Sequence, residues 1–112
     1  MKHPKFVIFT GKDGQFYFRL TARNGEPILA SEGYKSKSGC ENGIQSVKDN
    51  ASEDGQYKRL EAANGEFYFR LLAKNNEVIG RSETYMSKQG RDNGIKSVME
   101  NAPKAPIEDT TV

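Results

Sequence analysis

The amino-acid sequence predicts an α+β fold: two tandem β(3)-α-β units sharing one continuous, mainly antiparallel sheet. Two helices pack on one face of it, and a pseudo-two-fold axis relates the units. Three observations predict this. Gly14–Ala51 aligns with Gly65–Ala102 at a constant offset of 51, without a gap and with 23 identities over 38 positions. Within each copy the apolar residues first alternate with the period of a strand and then recur with the period of a helix. One copy of roughly fifty residues buries too little surface to stand alone, and two copies are too few for a solenoid. A sheet common to both copies is the arrangement left. Residues 1–112 are read as a single domain, with the first repeat over about 5–54 and the second over about 55–112.

Each element can be argued in order. Phe6-Val7-Ile8-Phe9 is a short run of strand formers, followed by the turn signal Asp13-Gly14. Phe16, Phe18 and Leu20 then alternate with Tyr17, Arg19 and Thr21, giving one apolar and one mixed face. Asn24-Gly25 predicts a type I′ hairpin turn with positive φ at both central residues. Asn64-Gly65 and Asn75-Asn76 stand at the corresponding places in the second copy, and asparagine also tolerates that conformation. Third strands follow near Pro27–Ser31 and Val78–Ser82, so each unit opens with a three-stranded meander.

The period then changes. Cys40, Ile44, Val47 and Ala51 fall on one helical stripe, as do Ile95, Val98 and Ala102, with Arg91 where Cys40 would be. Ser36 and Ser87 are candidate N-caps, and Ser38 with Glu41 also reads as a capping box. Gly43 and Gly94 lie on the stripe although glycine costs about 1 kcal/mol in a helix interior. A side chain there is expected to hold the helix off the sheet. Tyr57–Glu61 leaves helix one and enters the second meander. Ala105–Thr110 is expected to form a seventh strand at an edge, where Pro106 is tolerated.

The run Gly14–Leu20, with Asn24-Gly25-Glu26, Ser31-Glu32-Gly33-Tyr34 and Ser36–Ile44, resembles the YegP-like family of uncharacterised bacterial proteins. Both copies carry the pattern, which places the chain with the duplicated subfamily. The resemblance implies a β(3)-α-β unit, used in tandem or as a homodimer, with one shared sheet and exchanged C-terminal strands. It supplies no catalytic residues. Arg91 and Asn76 depart from the pattern, both in the second copy.

Composition narrows the function classes. The 17 basic residues nearly balance the 15 acidic ones, a net charge of +2, less basic than proteins that hold nucleic acid mainly by charge. No apolar run is long enough for a membrane span, and no signal-peptide pattern precedes the first strand. Cys40 is the only cysteine and cannot form an internal disulfide, so the cytoplasm is the expected location. The single histidine, His3, is expected in a frayed terminus. One Cys and one His cannot supply a zinc site or a nucleophile pair on the rigid fold. Gly11-Lys12-Asp13-Gly14 reads as a turn and not as a phosphate loop. No catalytic, cofactor-binding or metal-binding residue is assigned, and no cofactor is expected.

Two constellations remain. Glu26, Glu32, Glu77 and Glu83 occur in both copies and could pair across the pseudo-two-fold as acid and base. Turn and cap roles explain them more simply. The second is the open face of the sheet, where Tyr17, Arg19, Tyr68 and Arg70 should project if the phenylalanines lie under the helices. Aromatic rings interleaved with arginine stack single-stranded bases in several modules. The first expectation is a small non-enzymatic interaction or structural module, meeting a protein partner by this face or by an edge strand. The alternative is single-stranded nucleic-acid binding through Tyr17, Arg19, Tyr68 and Arg70, and an enzyme with carboxylates at the repeat interface ranks last. Duplication argues for a monomer, since the second copy fills the role of a symmetry mate.

Overall fold

Four tight turns of one design fix the strand registers. The computed structural model describes residues 2–112. In each turn one residue both accepts from the third residue on and donates to the fourth: Gly25 N bonds Ala22 O at 2.9 Å and Ala22 N bonds Glu26 O at 2.8 Å. Gly11, Ala62 and Ala73 open the other three in the same way. Only one residue per turn has positive φ, namely Gly14 (78°), Gly25 (85°), Gly65 (85°) and Asn76 (70°). The type I′ expectation is therefore corrected to a three-residue loop, a type I turn closed by one left-handed residue. The preceding Asp or Asn has a different task. Asp13, Asn24, Asn64 and Asn75 each accept, through a side-chain oxygen, the amide two residues on, at 3.0–3.1 Å.

The turns join β1 (Phe6–Thr10), β2 (Phe16–Thr21) and β3 (Pro27–Ala30) in the first repeat, before α1 (Lys37–Asn50). In the second they join β4 (Tyr57–Glu61), β5 (Phe67–Leu72) and β6 (Val78–Arg81), before α2 (Lys88–Asn101) and β7 (Ile107–Asp109). All seven strands form one sheet in the order β4-β5-β6-β3-β2-β1-β7. Only the β1–β7 pair is parallel. The repeats meet where Ala30 pairs antiparallel with Arg81, positions 51 apart and so equivalent in the two copies. The pseudo-two-fold runs through that pair. Exact symmetry fails beside it: a Cβ on Gly80 would lie 2.7 Å from Leu29 Cδ2. The equivalent residues have diverged to Leu and Gly because only one large side chain fits at the axis.

Side chains paired across the strands share a face, which sorts the sheet. Phe6 opposes Leu20 and Ile8 opposes Phe18, and all four are fully buried beneath the helices. Phe69 and Leu71 repeat this in the second unit. The helices begin as expected at Ser36 and Ser87, whose hydroxyls accept the amides of Gly39 and Gly90 at 3.0 Å. Ser38 contacts the Ser36 hydroxyl and is not the cap. The α1 stripe of Cys40, Ile44 and Val47 and the α2 stripe of Ile95 and Val98 complete the core. Gly43 and Gly94 leave room for the rings of Tyr34 and Tyr85, which stack on Phe18 and Phe69.

The two ends of the sheet differ. At one end β7 returns from the second repeat to cover β1 of the first, with Phe6 N donating to Pro106 O at 2.8 Å and Thr110 N to Ile8 O at 3.0 Å. Ion pairs clamp it on both faces, Lys5 with Glu108 and Lys37 with Asp109 at 2.9 Å. This is the expected seventh edge strand, shortened to Ile107–Asp109. At the other end no strand among the described residues covers β4. Arg59, where β1 has Ile8, is held by Asp54 at 2.9 Å and Asp92 at 3.4 Å, and Asp92 also meets Arg91 at 3.2 Å. The departure of Arg91 from Cys40 has its reason here: charged pairs replace the apolar floor that β7 covers on the other side. His3 is not frayed as expected, because its Nδ1 lies 2.7 Å from the Thr21 hydroxyl. Among the described residues no helix is long and apolar enough to cross a membrane.

Candidate interaction face

The open face is built by the same registers. Val7 opposes Arg19, Arg19 opposes Ala30, Ala30 opposes Arg81, Arg81 opposes Arg70, and Arg70 opposes Lys58. These residues form one row straight across the sheet. Adjacent strands lie about 4.8 Å apart, so the backbones of Arg19 and Arg70 stand about 14 Å apart. Ala30 leaves a low floor between Arg19 and Arg81. Arg19, Arg70, Arg81 and Lys58 make no ion pair among the described residues.

Rings flank the row unequally. Phe9 stacks on Tyr17 at 5.7 Å, and the Arg19 guanidinium lies 4.8 Å from the Phe9 ring centre. Tyr17 donates its hydroxyl to Asp13 at 2.6 Å. That bond is the main reason the Tyr17 phenol titrates above its ordinary value and Asp13 below its own. In the second repeat the Arg70 guanidinium sits 5.7 Å from the Tyr68 ring centre, and Leu60 stands where Phe9 would be. A shallow concavity of about 680 Å³ spans the centre of the face, lined by Phe9, Arg19, Tyr68, Arg70 and Arg81. Of the four residues singled out by sequence, the structure brings Arg19, Tyr68 and Arg70 to this concavity. Tyr17 lies outside it, tied to its hairpin.

Sequence reasoning missed Arg81 and Lys58. Neither is repeated, since their equivalents are Ala30 and Val7. Arg81 is also hidden by a bulge: β5 and β6 shift register between Leu71 and Leu72, leaving Ile79 as the extra residue. An unbulged hairpin would set Gly80 opposite Arg70 and turn Arg81 to the helix face. The equivalent shift occurs between Leu20 and Thr21.

The carboxylates are arranged otherwise. Glu26 of the first repeat and Glu83 of the second line one groove of about 340 Å³ with Tyr85, Asn93 and Ser97. Burial first, and then the charges of Glu83 and Glu26, raise the Tyr85 phenol. Tyr34 is raised first by burial, with Glu32 and Glu77 among the further causes. None of these four glutamate side chains makes a hydrogen bond or ion pair with the described residues, so the expected cap role of Glu32 and Glu83 is corrected: Ser36 and Ser87 alone cap the helices. No three His, Cys, Asp or Glu side chains converge as metal ligands among the described residues. Cys40 is buried on its helix, and burial pushes its thiol up to about 11.

The model of the Domain of unknown function (DUF1508) matches residues 12–57 and again 62–109, once in each repeat. The chain belongs to this family. It is 51% identical over 102 residues to the UPF0339 protein in the ptx operon 5′ region of Stutzerimonas stutzeri, covering 91% of this chain and 92% of that one. YegP of Escherichia coli is 43% identical over 106 residues, 95% of this chain and 96% of that protein. The solution structure of YegP, a protein of unknown function, aligns over 98% of this chain and 95% of its own with a TM-score of 0.92 at 41% identity. A UPF0339 protein of Shewanella oneidensis gives 0.89 at 46% identity, over 94% of this chain and 89% of that one. The YegP-like resemblance is thus confirmed. None of these names assigns an activity.

Proposed function

We propose that the chain is a non-catalytic interaction module whose open sheet face meets an anionic partner. The observation that supports this most is the row Arg19–Ala30–Arg81–Arg70–Lys58. It concentrates positive charge on one face of a molecule that carries only +2 overall. Cations without counter-ions of their own raise the local potential and steer an oppositely charged surface. Arginine suits the task, because its planar fork grips carboxylates and phosphates in pairs of hydrogen bonds.

A protein partner with an acidic patch is the first reading. Single-stranded nucleic acid is the second, favoured by the Tyr68–Arg70 pair beside the concavity. It is weakened at the other end, where Tyr17 and Arg19 already occupy the Phe9 ring. The test is an amide-shift titration of labelled protein with a polyglutamate peptide and with mixed single-stranded DNA and RNA, at low and high salt. Shifts centred on β2, β5 and β6 that fade with salt support the reading. Greater shifts with oligonucleotides, spreading to Tyr68, favour the second. Silence with every anionic probe removes both.

A further inference from the structure

The bare edge of β4 is the internal-repeat twin of an edge whose occupant is visible. Residues of β4 lie 51 positions after those of β1, and both strands pair with the next strand in the same register: Phe6 with Leu20, Tyr57 with Leu71. On β1 the outward main-chain groups belong to Phe6 and Ile8, which bond Pro106 and Thr110 of the β7 segment. Their equivalents on β4 are Tyr57 and Arg59. The Tyr57 amide turns back to Asp54 O, so Arg59 supplies the outward groups left for a neighbour.

Of the two clamps that hold β7, Lys37 recurs on this edge as Lys88, whereas Lys5, which holds Glu108, is replaced by Gln56, so a cation for the first acid must come from β4 itself. Glu108 stands opposite Val7, whose equivalent is Lys58; Asp109 stands opposite Ile8, whose equivalent is Arg59. Lys37, which clamps Asp109 at 2.9 Å, has Lys88 as its identical counterpart. Lys88 lies 6.0 Å from the Phe67 ring centre and makes no ion pair among the described residues. Lys58 makes none either. Beside the β4 edge, Lys58 on the open face and Lys88 on the helix face are therefore free cations, while Arg59 is already paired with Asp54 and Asp92.

We propose that the outer edge of β4 is a docking site for an extended acidic segment of a partner protein, added in parallel as an eighth strand. The segment has the chemistry of β7, an apolar residue followed by two acids. Its first carboxylate meets Lys58 on the open face, and its second meets Lys88 and Arg59 on the helix face. Edge strands commonly recruit peptides through main-chain bonds, with side chains setting specificity. Here the Arg59–Asp54–Asp92–Arg91 cluster beside the edge discourages an apolar strand, and Lys58 and Lys88 favour one that carries acids. This surface is separate from the concavity on the open face, which Lys58 does not line, although Lys58 also ends the cation row.

The probe is a synthetic peptide of the chain's own last residues, Ala-Pro-Ile-Glu-Asp-Thr-Thr-Val, titrated into the labelled full chain. Expected are shifts at Arg59, Glu61 and the first turn of α2, with slowed amide exchange at Arg59. A peptide with Gln and Asn for the two acids should bind several-fold more weakly. Lys88→Ala should weaken the parent peptide about three-fold, the scale of one exposed ion pair. Arg19→Ala with Arg81→Ala removes open-face cations that do not adjoin Lys58 and should leave the shifts at Arg59 and α2 in place, which separates failure of this site from failure of the open face. Shifts confined to Phe6–Thr10, meaning exchange with the chain's own β7, would overturn the proposal. So would no binding, or binding indifferent to the acids and to Lys88.

Discussion

Replacing Gly43 by alanine gives the sharpest test of how the helices seat on the sheet. A Cβ there would lie 2.3 Å from Tyr34 Oη, 2.7 Å from Tyr34 Cζ and 3.2 Å from Phe18 Cε2. Carbon contacts are comfortable at about 3.5–4.0 Å, so the tyrosine ring must retreat by about 1 Å from its stack on Phe18. Overpacking of this kind costs about 1–3 kcal/mol. Alanine returns about 1 kcal/mol through helix propensity. We expect Gly43→Ala to destabilise by about 1 kcal/mol, lowering Tm by about 4 °C for a chain of this size. In a Tyr34→Ala background the obstacle is gone and the same change should stabilise, giving a coupling energy of about 2 kcal/mol. Urea titration of the four proteins of the cycle measures this. Gly94 with Tyr85, where the Cβ would lie 2.4 Å from the hydroxyl, should behave alike. Stabilisation by Gly43→Ala in the parent chain, or independence of the two changes, would refute the reasoning.

Three further outcomes follow from particular bonds. The Ser31 hydroxyl accepts the Phe18 amide at 2.9 Å and donates to Glu32 O at 2.8 Å. Ser31→Ala strands a buried amide and should cost about 1–3 kcal/mol in denaturant titration, more than the same change at the less buried Ser82. Asp109 is held at about 2, below its ordinary 3.8, first by the Thr111 hydroxyl and then by Lys37. A depressed carboxylate stabilises the fold above its unfolded value, and that stability is lost as pH falls from about 4 to 2. Asp109→Asn should flatten stability against pH in that window and not above it. The Cys40 thiol, raised to about 11 by burial, should resist a thiol reagent at pH 8 in the folded chain and react fully in denaturant.

Much of the fold was legible because duplication doubled every signal. The paired turns at Asn24-Gly25 and Asn75-Asn76, the alternation about Phe18 and Phe69, and the stripes through Val47 and Val98 all agree with the structure. Those signals are local. The turn type was misjudged because Asn-Gly suits both a two-residue and a three-residue loop, and only strand pairing decides between them. The open face was half legible. Arg19 and Arg70 repeat and alternate, so they could be placed. Arg81 owes its position to a bulge and Lys58 to the exchange of apolar for basic residues at an uncovered end. Neither property belongs to a window of sequence. The asymmetry of the two edges was hidden for the same reason, since it arises when β7 crosses to the other repeat.

The most direct measurement compares the parent chain with an Arg19→Ser, Arg70→Ser, Arg81→Ser variant in binding fluorescent polyglutamate and a single-stranded oligonucleotide at two salt concentrations. If the cation row is the binding surface, the parent should bind at least one probe and lose affinity with salt. For four phosphate contacts the loss is roughly 50-fold between about 50 and 200 mM. The folded variant should lose most of both the affinity and the salt dependence. Equal binding by parent and variant, or no binding by either, would contradict the role assigned to the open face.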